Sequence, residues 1–173
     1  MDPFPWSPGR MLSWGDYLAE ADAASPVDVR SLIRLRPEWK VESDPGGATF
    51  SISGLALRAD FVPSLSWARG PARTDAALRH ERARFDIAEL HARAARLGSV
   101  PARLPSRGSN PDQAKQNARD DSARMIAPLV ESESAALGRR LAGYDAATDG
   151  GRDAAAQAAF EEEAGVAGLR PPP

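Results

Sequence analysis

The residue types of this chain change sharply after residue 70, and that change limits the folds open to it. Up to about Ser66 the chain carries most of its aromatic and β-branched residues, which favour strands. Beyond Gly70 alanine, arginine and glutamate dominate, which favours helices. The pattern predicts an α+β fold, in which a small, twisted antiparallel sheet over residues 1–70 packs on a helix. A mostly helical part over residues 71–168 follows.

Length and charge narrow the class of protein further. A chain of 173 residues matches a single domain over 1–173, with residues 169–173, "LRPPP", expected as a disordered tail. The net charge is −2, and the arginines alternate with carboxylates, so we expect no nucleic-acid partner. No apolar run approaches the length of a membrane span, so we expect no membrane insertion.

Cysteine content and the first residues bear on chemistry and location. Because the chain has no cysteine, disulfide frameworks and thiolate metal sites are excluded. The opening "MDPFPWSPGR" lacks a basic region followed by an apolar one, so no signal peptide is expected. On this pattern alone the chain is interpreted as cytoplasmic.

Turn and strand signals organise the first part. "DPGG" at 44–47 predicts a turn, and the segment after it alternates between apolar and polar residues with a change of phase at Gly54. A phase change at a glycine predicts a β-bulge or bend. The segment before the turn, 27–42, is interrupted by Pro37 and predicts an edge strand or two short strands.

Three helices are expected in the second part. The first runs from about Thr74 to Leu97, with Pro71 in its first turn and Gly98 as its stop. Its spacing of apolar residues predicts a buried face made of Phe85, Ile87, Leu90, Ala94 and Leu97.

The later helices are marked by caps and prolines. After a loop rich in proline, glycine and serine, the second helix begins with Asn110 as its cap and Pro111 in its first turn. Pro128 is expected to kink or divide that helix. The last helix covers about 153–163.

The first helix carries an incomplete metal-binding motif, "HERAR", at residues 80–84. The zinc motif H-E-x-x-H needs two histidines on one helix face with a glutamate as general base. His80 and Glu81 occupy the first two positions, but Arg84 stands in the fifth, and a guanidinium has no lone pair for a cation. His91 lies roughly 16 Å further along the helix axis and does not complete the set.

Residues around this motif resemble a bacterial family of predicted secreted zinc-dependent proteases, whose helix reads H-E-x-x-H-F-D-I-x-E-L-x-A-R. The matching residues are Phe85, Asp86, Ile87, Glu89, Leu90, Ala92 and Arg93. Similar matches occur near the start, at Trp6, Arg10, Leu12, Trp14, Asp16 and Tyr17, and before the helix, at Phe61, Ser66 and Trp67. "YDAATDGG" at 144–151 is similar to the family's late segment Y-D-x-E-T-x-H-G.

The resemblance implies a zincin-like helix with His80 as a zinc ligand and Glu81 as the base. The chain differs from the family pattern at the metal ligands, since Arg84 and Gly150 stand in place of two of the three histidines. His80 and Glu81 would then be vestigial and no cofactor would be bound. Four further residues are implied near the cleft or behind its ligands: Asp86, Tyr144, Asp145 and Asp149. The family would also imply an exported protein.

Three functions remain open at this point. The first is a non-enzymatic, zinc-protease-like module that binds a peptide or protein partner. The second is an active metallopeptidase that combines His80 with carboxylates such as Asp86, Asp145 or Asp149. The third is a structural subunit of a larger assembly.

Two side-chain roles also remain open. Arg84 either supplies a fixed cation among the cleft carboxylates or extends to solvent as a surface pair with Glu81. Trp6 and Trp14 either pack over the helix layer, which is the favoured interpretation, or stack on a ligand.

Overall fold

A computed structural model describes residues 2–46, 49–95, 103–163 and 165–169 and has an α+β fold, which confirms the predicted class. Its strands are β1 (Phe4–Pro5), β2 (Val29–Arg30), β3 (Ile33–Ser43), β4 (Thr49–Phe61), β5 (Trp67–Ala68) and β6 (Arg103–Pro105). Its longer helices are α1 (Asp75–Ala94), α2 (Pro111–Ala147) and α3 (Ala154–Glu163). Among the described helices, none is long and apolar enough to cross a membrane.

The main sheet is antiparallel and is built around β4. Strand β4 pairs with β1 and β3, and β6 also pairs with β4 through Phe50 and Leu104. Strand β6 lies in the stretch that was expected to be a loop, so the prediction was wrong there. Leu104 is buried against the far end of the β3–β4 hairpin, and three residues are too few to show a periodic pattern. A separate two-stranded sheet joins β2 to β5.

Gly54 lies at an irregularity in the β3–β4 ladder, as predicted. Glu38 faces Ala56 and Lys40 faces Ser53, so two residues of β4 lie opposite the single residue Trp39. Gly54 has a φ of 65°, a conformation that costs glycine little. The bulge therefore depends on the residue type at this position.

Pro37 lies inside β3, which is one continuous strand of 11 residues and not two short ones. Within the described sheet β3 is at the edge and pairs with β4 alone. A missing N–H is tolerated at such an edge, because no strand on the outer side needs the hydrogen bond. The expectation of an edge strand is confirmed.

Helix α1 is continuous through the motif residues. The side chain of its cap, Thr74, accepts a hydrogen bond from the backbone of Ala77 at 3.1 Å. Pro71 is not in its first turn, because Gly70–Ala72 forms a separate 3-10 turn and Arg73 then leaves the helical conformation. The helix ends at Ala94, and the expected stop at Leu97 and Gly98 lies outside the described residues.

The buried face of α1 packs on the sheet through an aromatic cluster. The ring of Phe61 lies 6.0 Å from that of Phe85 and 5.5 Å from that of Phe4. Of the predicted face, Phe85 and Ile87 are buried, Leu90 is half-buried and Ala94, the last helical residue, is exposed.

Trp6 packs against α1 on the same side of the sheet. It is buried, and its indole N–H donates to a carboxylate oxygen of Asp86 at 2.6 Å. Trp14 is half-buried and its ring lies 5.0 Å from that of Tyr17. Both contacts agree with a packing role for these indoles.

Helix α2 begins at its predicted cap, and α3 begins one residue after the predicted start at 153. Asn110 accepts a hydrogen bond from the backbone of Gln113 at 2.9 Å, and Asp153 accepts one from Ala156 at 2.9 Å. Pro128 does not divide α2, which runs for 37 residues. A proline removes one helical hydrogen bond, and buried residues on both sides of it, such as Ile126 and Leu137, hold the helix in place.

Two glycine substitutions test the bulge. Gly54→Ala should lower the free energy of unfolding by about 1 kcal/mol, because alanine must adopt the left-handed conformation although its Cβ meets no atom within 4 Å. Gly138→Ala, at an exposed position inside α2, should instead raise it by about 0.5–1 kcal/mol. Urea denaturation followed by circular dichroism measures both. Effects of the same sign would contradict the assignment of the bulge.

Candidate functional site

A cleft of about 800 Å³ lies beside the first half of α1. Helix α1 contributes Ala77, His80, Glu81 and Arg84 to its floor, and the segment 25–31 forms one wall. Asp145, Gly150 and Arg152, from the end of α2 and the turn after it, close the opposite side. The structure thus brings together five of the residues that the sequence singled out: His80, Glu81, Arg84, Asp145 and Gly150.

His80 is buried and held on three sides. Its Nε2 lies 3.1 Å from an Asp145 carboxylate oxygen, and its ring stacks on Tyr144 at 4.7 Å with 10° between the planes. Gly151, with a φ of 85°, approaches from another side, where an added Cβ would lie 2.6 Å from the His80 Cβ. The His80 Nδ1 has no hydrogen-bond partner among the described residues.

Arg84 extends into the cleft and not out to solvent. Its Nη1 donates to the second carboxylate oxygen of Asp145, and its Nε lies 3.4 Å from a Glu81 carboxylate oxygen. Only 19% of its side chain is exposed. The expectation that its guanidinium reaches carboxylates in the cleft is confirmed, and the solvent-exposed alternative is wrong.

The charges in this cluster reinforce one another. Burial opposes the charge on Arg84, but the attraction of Glu81 and the hydrogen bond to Asp145 raise its pKa. Burial likewise opposes the charge on Asp145, but hydrogen bonds with His80 and Arg84 hold the pKa of that carboxyl below its usual range. Arg84 and Asp145 are therefore a charged pair at neutral pH.

The wall of the cleft at 25–31 is organised by Arg69. Its guanidinium donates to the Asp28 carboxylate at 2.8 Å and to the backbone carbonyls of Asp22 and Ser25 at 2.9 and 2.8 Å. Strand β2 belongs to this wall and pairs with β5 on its other side. The strand pattern over 27–42 was predicted, but its place beside the cleft was not, because that place depends on a two-residue strand pairing and on Arg69.

Tyr17 lies behind the same wall. Its hydroxyl shares a hydrogen bond with Ser31 at 2.8 Å, and burial together with the nearby Glu81 charge raises its pKa. The phenol is thus neutral at neutral pH and acts as a packing and hydrogen-bonding group.

Three of the residues expected near the cleft have other surroundings. Asp86 bonds to Trp6 on another face of α1. Asp149 is 67% exposed and pairs with Arg152 through two bonds of 2.9 Å. Tyr144 is fully buried between His80 and Phe160, so it supports the histidine ring and does not face the cleft.

The residues in the cleft do not fit a zinc ion. A catalytic zinc needs three protein ligands and an open position for water, whereas a guanidinium stands here between Glu81 and Asp145. Within the described ranges no three His, Cys, Asp or Glu side chains are placed to hold a metal ion. That no cofactor binds remains a prediction, because it rests only on the chemistry of the side chains in the cleft.

Comparison with known proteins finds no matching family model, no similar curated protein and no similar solved structure. The resemblance of the helix around His80 to zinc-dependent proteases therefore stays a prediction that rests on its motif residues.

Removing the Arg84 side chain tests its role in the cluster. Arg84→Ala should lower the free energy of unfolding by about 1–3 kcal/mol, because it leaves the buried Glu81 without its counter-charge. Arg79→Ala is the matched control, since Arg79 lies on the same helix, is 53% exposed and pairs with Glu161 at 3.0 Å. The control should lose about 0.3 kcal/mol. Equal losses in urea denaturation would show that Arg84 is an ordinary surface residue.

A pair of glycine variants tests the close approach to His80. Gly150→Ala and Gly151→Ala both place alanine at a positive φ, but only the second puts a Cβ into the His80 ring. Gly151→Ala should therefore cost about 2 kcal/mol more than Gly150→Ala. Thermal denaturation of the two variants measures the difference, and equal costs would rule out tight packing against the imidazole.

Proposed function

We propose that this protein is a non-catalytic binding protein that holds an extended segment of a peptide or protein partner in the cleft beside α1. In this proposal the helix descends from a zinc-protease-like ancestor, with His80 and Glu81 as remnants of its chemistry. The observation that carries the proposal is the position of the Arg84 guanidinium between Glu81 and Asp145. A fixed cation stands where a metal-dependent enzyme would need its metal and water.

The geometry gives little support to metal-dependent hydrolysis. A metal-activated mechanism needs a bound water beside a free carboxylate base. Here the guanidinium of Arg84 lies beside Glu81, and guanidinium groups donate hydrogen bonds without accepting a metal. The carboxylates suggested as substitute ligands, Asp86 and Asp149, have partners of their own in Trp6 and Arg152.

The retained cleft supports binding. Strand β2 lines one wall of the cleft and, within the described sheet, pairs with β5 alone, and an extended peptide can add to an unpaired strand edge through backbone hydrogen bonds. Val27 on this wall is 48% exposed, which offers apolar surface to a ligand. A volume of about 800 Å³ is within the range of ligand pockets.

Metal content tests the loss of catalysis. The purified wild-type protein should contain no stoichiometric zinc. Arg84→His should gain zinc binding, because the new imidazole would join His80 and Asp145 as a third ligand. With Asp145 as a ligand, a second substitution, Gly150→His, is not needed. It would also be strained, because Gly150 has a φ of 62°. Arg79→His, exposed on the same helix, is the control and should gain none. About one zinc per wild-type chain, lost on His80→Ala, would overturn the proposal.

Peptide binding tests the retained cleft. A synthetic library of random decapeptides, measured by fluorescence anisotropy, should yield ligands for the wild-type protein. Ala77→Trp should abolish that binding because the indole fills the cleft, whereas Ala76→Trp, one residue away on the exposed face, should not. If no peptide binds, or if Ala77→Trp binds as well as wild type, the proposed function is wrong and a purely structural role is favoured.

A further inference from the structure

We infer that the cleft takes a lysine or arginine side chain of its ligand, with the aliphatic stem along the apolar wall and the cationic head at the floor. This inference rests on the proposed peptide-binding function and names the chemistry that the cleft would select.

The floor carries more negative than positive charge. Glu81 and Asp145 are two carboxylates that share one guanidinium, that of Arg84. His80, which lies 3.1 Å from Asp145, adds a second positive charge only when it is protonated. With a neutral imidazole, the floor therefore has one uncompensated negative charge.

Glu81 is the strongest sign of an unmet interaction. Its side chain is only 9% exposed, and one carboxylate oxygen has no hydrogen-bond partner among the described residues. The Arg84 Nε, 3.4 Å away, provides charge but not hydrogen-bond geometry. Because a buried carboxylate without a donor is costly, a donor from the ligand would be stabilising.

The carboxylate of Asp145 is more exposed to an entering group than the guanidinium of Arg84. Asp145 is 37% exposed, whereas Arg84 is 19% exposed and directs its Nη1 to Asp145. Arg152 at the rim is engaged by Asp149 through two hydrogen bonds. Arg30, on β2, is exposed, so its charge is screened by solvent.

The wall matches the stem of such a side chain. Val27, Val29, Ala72 and Ala77 line the same cleft as the carboxylates. Lysine and arginine bury their methylene groups along apolar surface while the charged head reaches a polar partner. A cleft that combines apolar side chains with carboxylates suits both the stem and the charge of such a side chain.

Small blocked amino acids test the floor directly. Nα-acetyl-lysine methylamide and the arginine equivalent are titrated into isotope-labelled protein, and backbone amide shifts are followed by NMR. We expect shifts around Ala77, Glu81 and Asp145, with the norleucine equivalent binding about tenfold more weakly or worse, because it lacks the charged donor. Comparing the lysine and arginine compounds decides which head group is preferred. Equal binding of norleucine, or no shift with either cation, would overturn the inference.

Substitutions in the cleft distinguish recognition from structure. Glu81→Gln and Asp145→Asn should each weaken the binding of blocked lysine. Asp112→Asn, at an exposed carboxylate in the first turn of α2 that does not line the cleft, should not. Arg84→Met should strengthen it, because the competing internal cation is gone. A damaged fold would weaken the binding of blocked lysine. Stronger binding by Arg84→Met would therefore come from the loss of the arginine charge and not from a change in the fold. Unchanged or weaker binding by a folded Arg84→Met, judged by its amide spectrum, would count against the inference.

The inference and the proposed function fail separately. If library peptides bind and Ala77→Trp blocks them, but replacing their lysine and arginine by norleucine changes nothing, the inference fails and the proposed function stands. If blocked lysine binds at the floor and no peptide does, the peptide-binding function fails and the cation site stands.

Discussion

The carboxylate of Asp145 joins α1 to the end of α2 through residues 61 and 65 positions apart, and the cleft depends on this junction. One oxygen lies against the His80 imidazole and the other accepts from the Arg84 guanidinium. His80 and Arg84 are on the first helix and Asp145 is near the end of the long second helix. The stack of Tyr144 on His80 adds an apolar contact at the same place. This junction fixes how far the cleft opens, because its floor and one of its sides belong to the two helices that it connects.

Helix α1 is unusual in how many ionisable groups it buries. His80, Glu81, Asp86 and Glu89 are all buried, yet each faces a different partner. Asp86 accepts from Trp6, and Glu89 accepts from Arg93 and from the backbone of Ala59. Since buried charges are tolerated only when they are paired, these contacts fix the rotation of the helix on the sheet. The helix therefore presents the residues of the cleft at a fixed angle.

The sequence predicted the features that depend on local chemistry and missed those that depend on distant contacts. The cap at Asn110 and the bulge at Gly54 follow from neighbouring residue types, so they were found. Strand β6 and the position of the wall around Arg69 depend on pairing with remote segments, so no local pattern indicated strand β6 or placed the wall beside the cleft.

The candidate site divides in the same way. Asp86 lies six positions after His80. Six residues rotate a helix by one full turn plus about 240°, so helical geometry alone would have placed Asp86 on a different face from His80 and away from the cleft. The choice of Asp145 over Asp149 depends on where α2 ends and how its last turn meets α1, and the residues themselves do not reveal that.

The contact between Trp6 and Asp86 has a consequence for the order in which the molecule is assembled. Residues 4 and 5 pair with residues 60 and 61, and the indole of Trp6 bonds to a helix residue 80 positions later. When a ribosome makes this chain, its opening segment emerges long before the strand and helix that receive it. The aromatic side chains of that segment stay without their final neighbours until α1 has been synthesised. Contacts this distant in sequence carry a large loop-closure cost, so we expect the segment at residues 4–6 to close over the core late in folding.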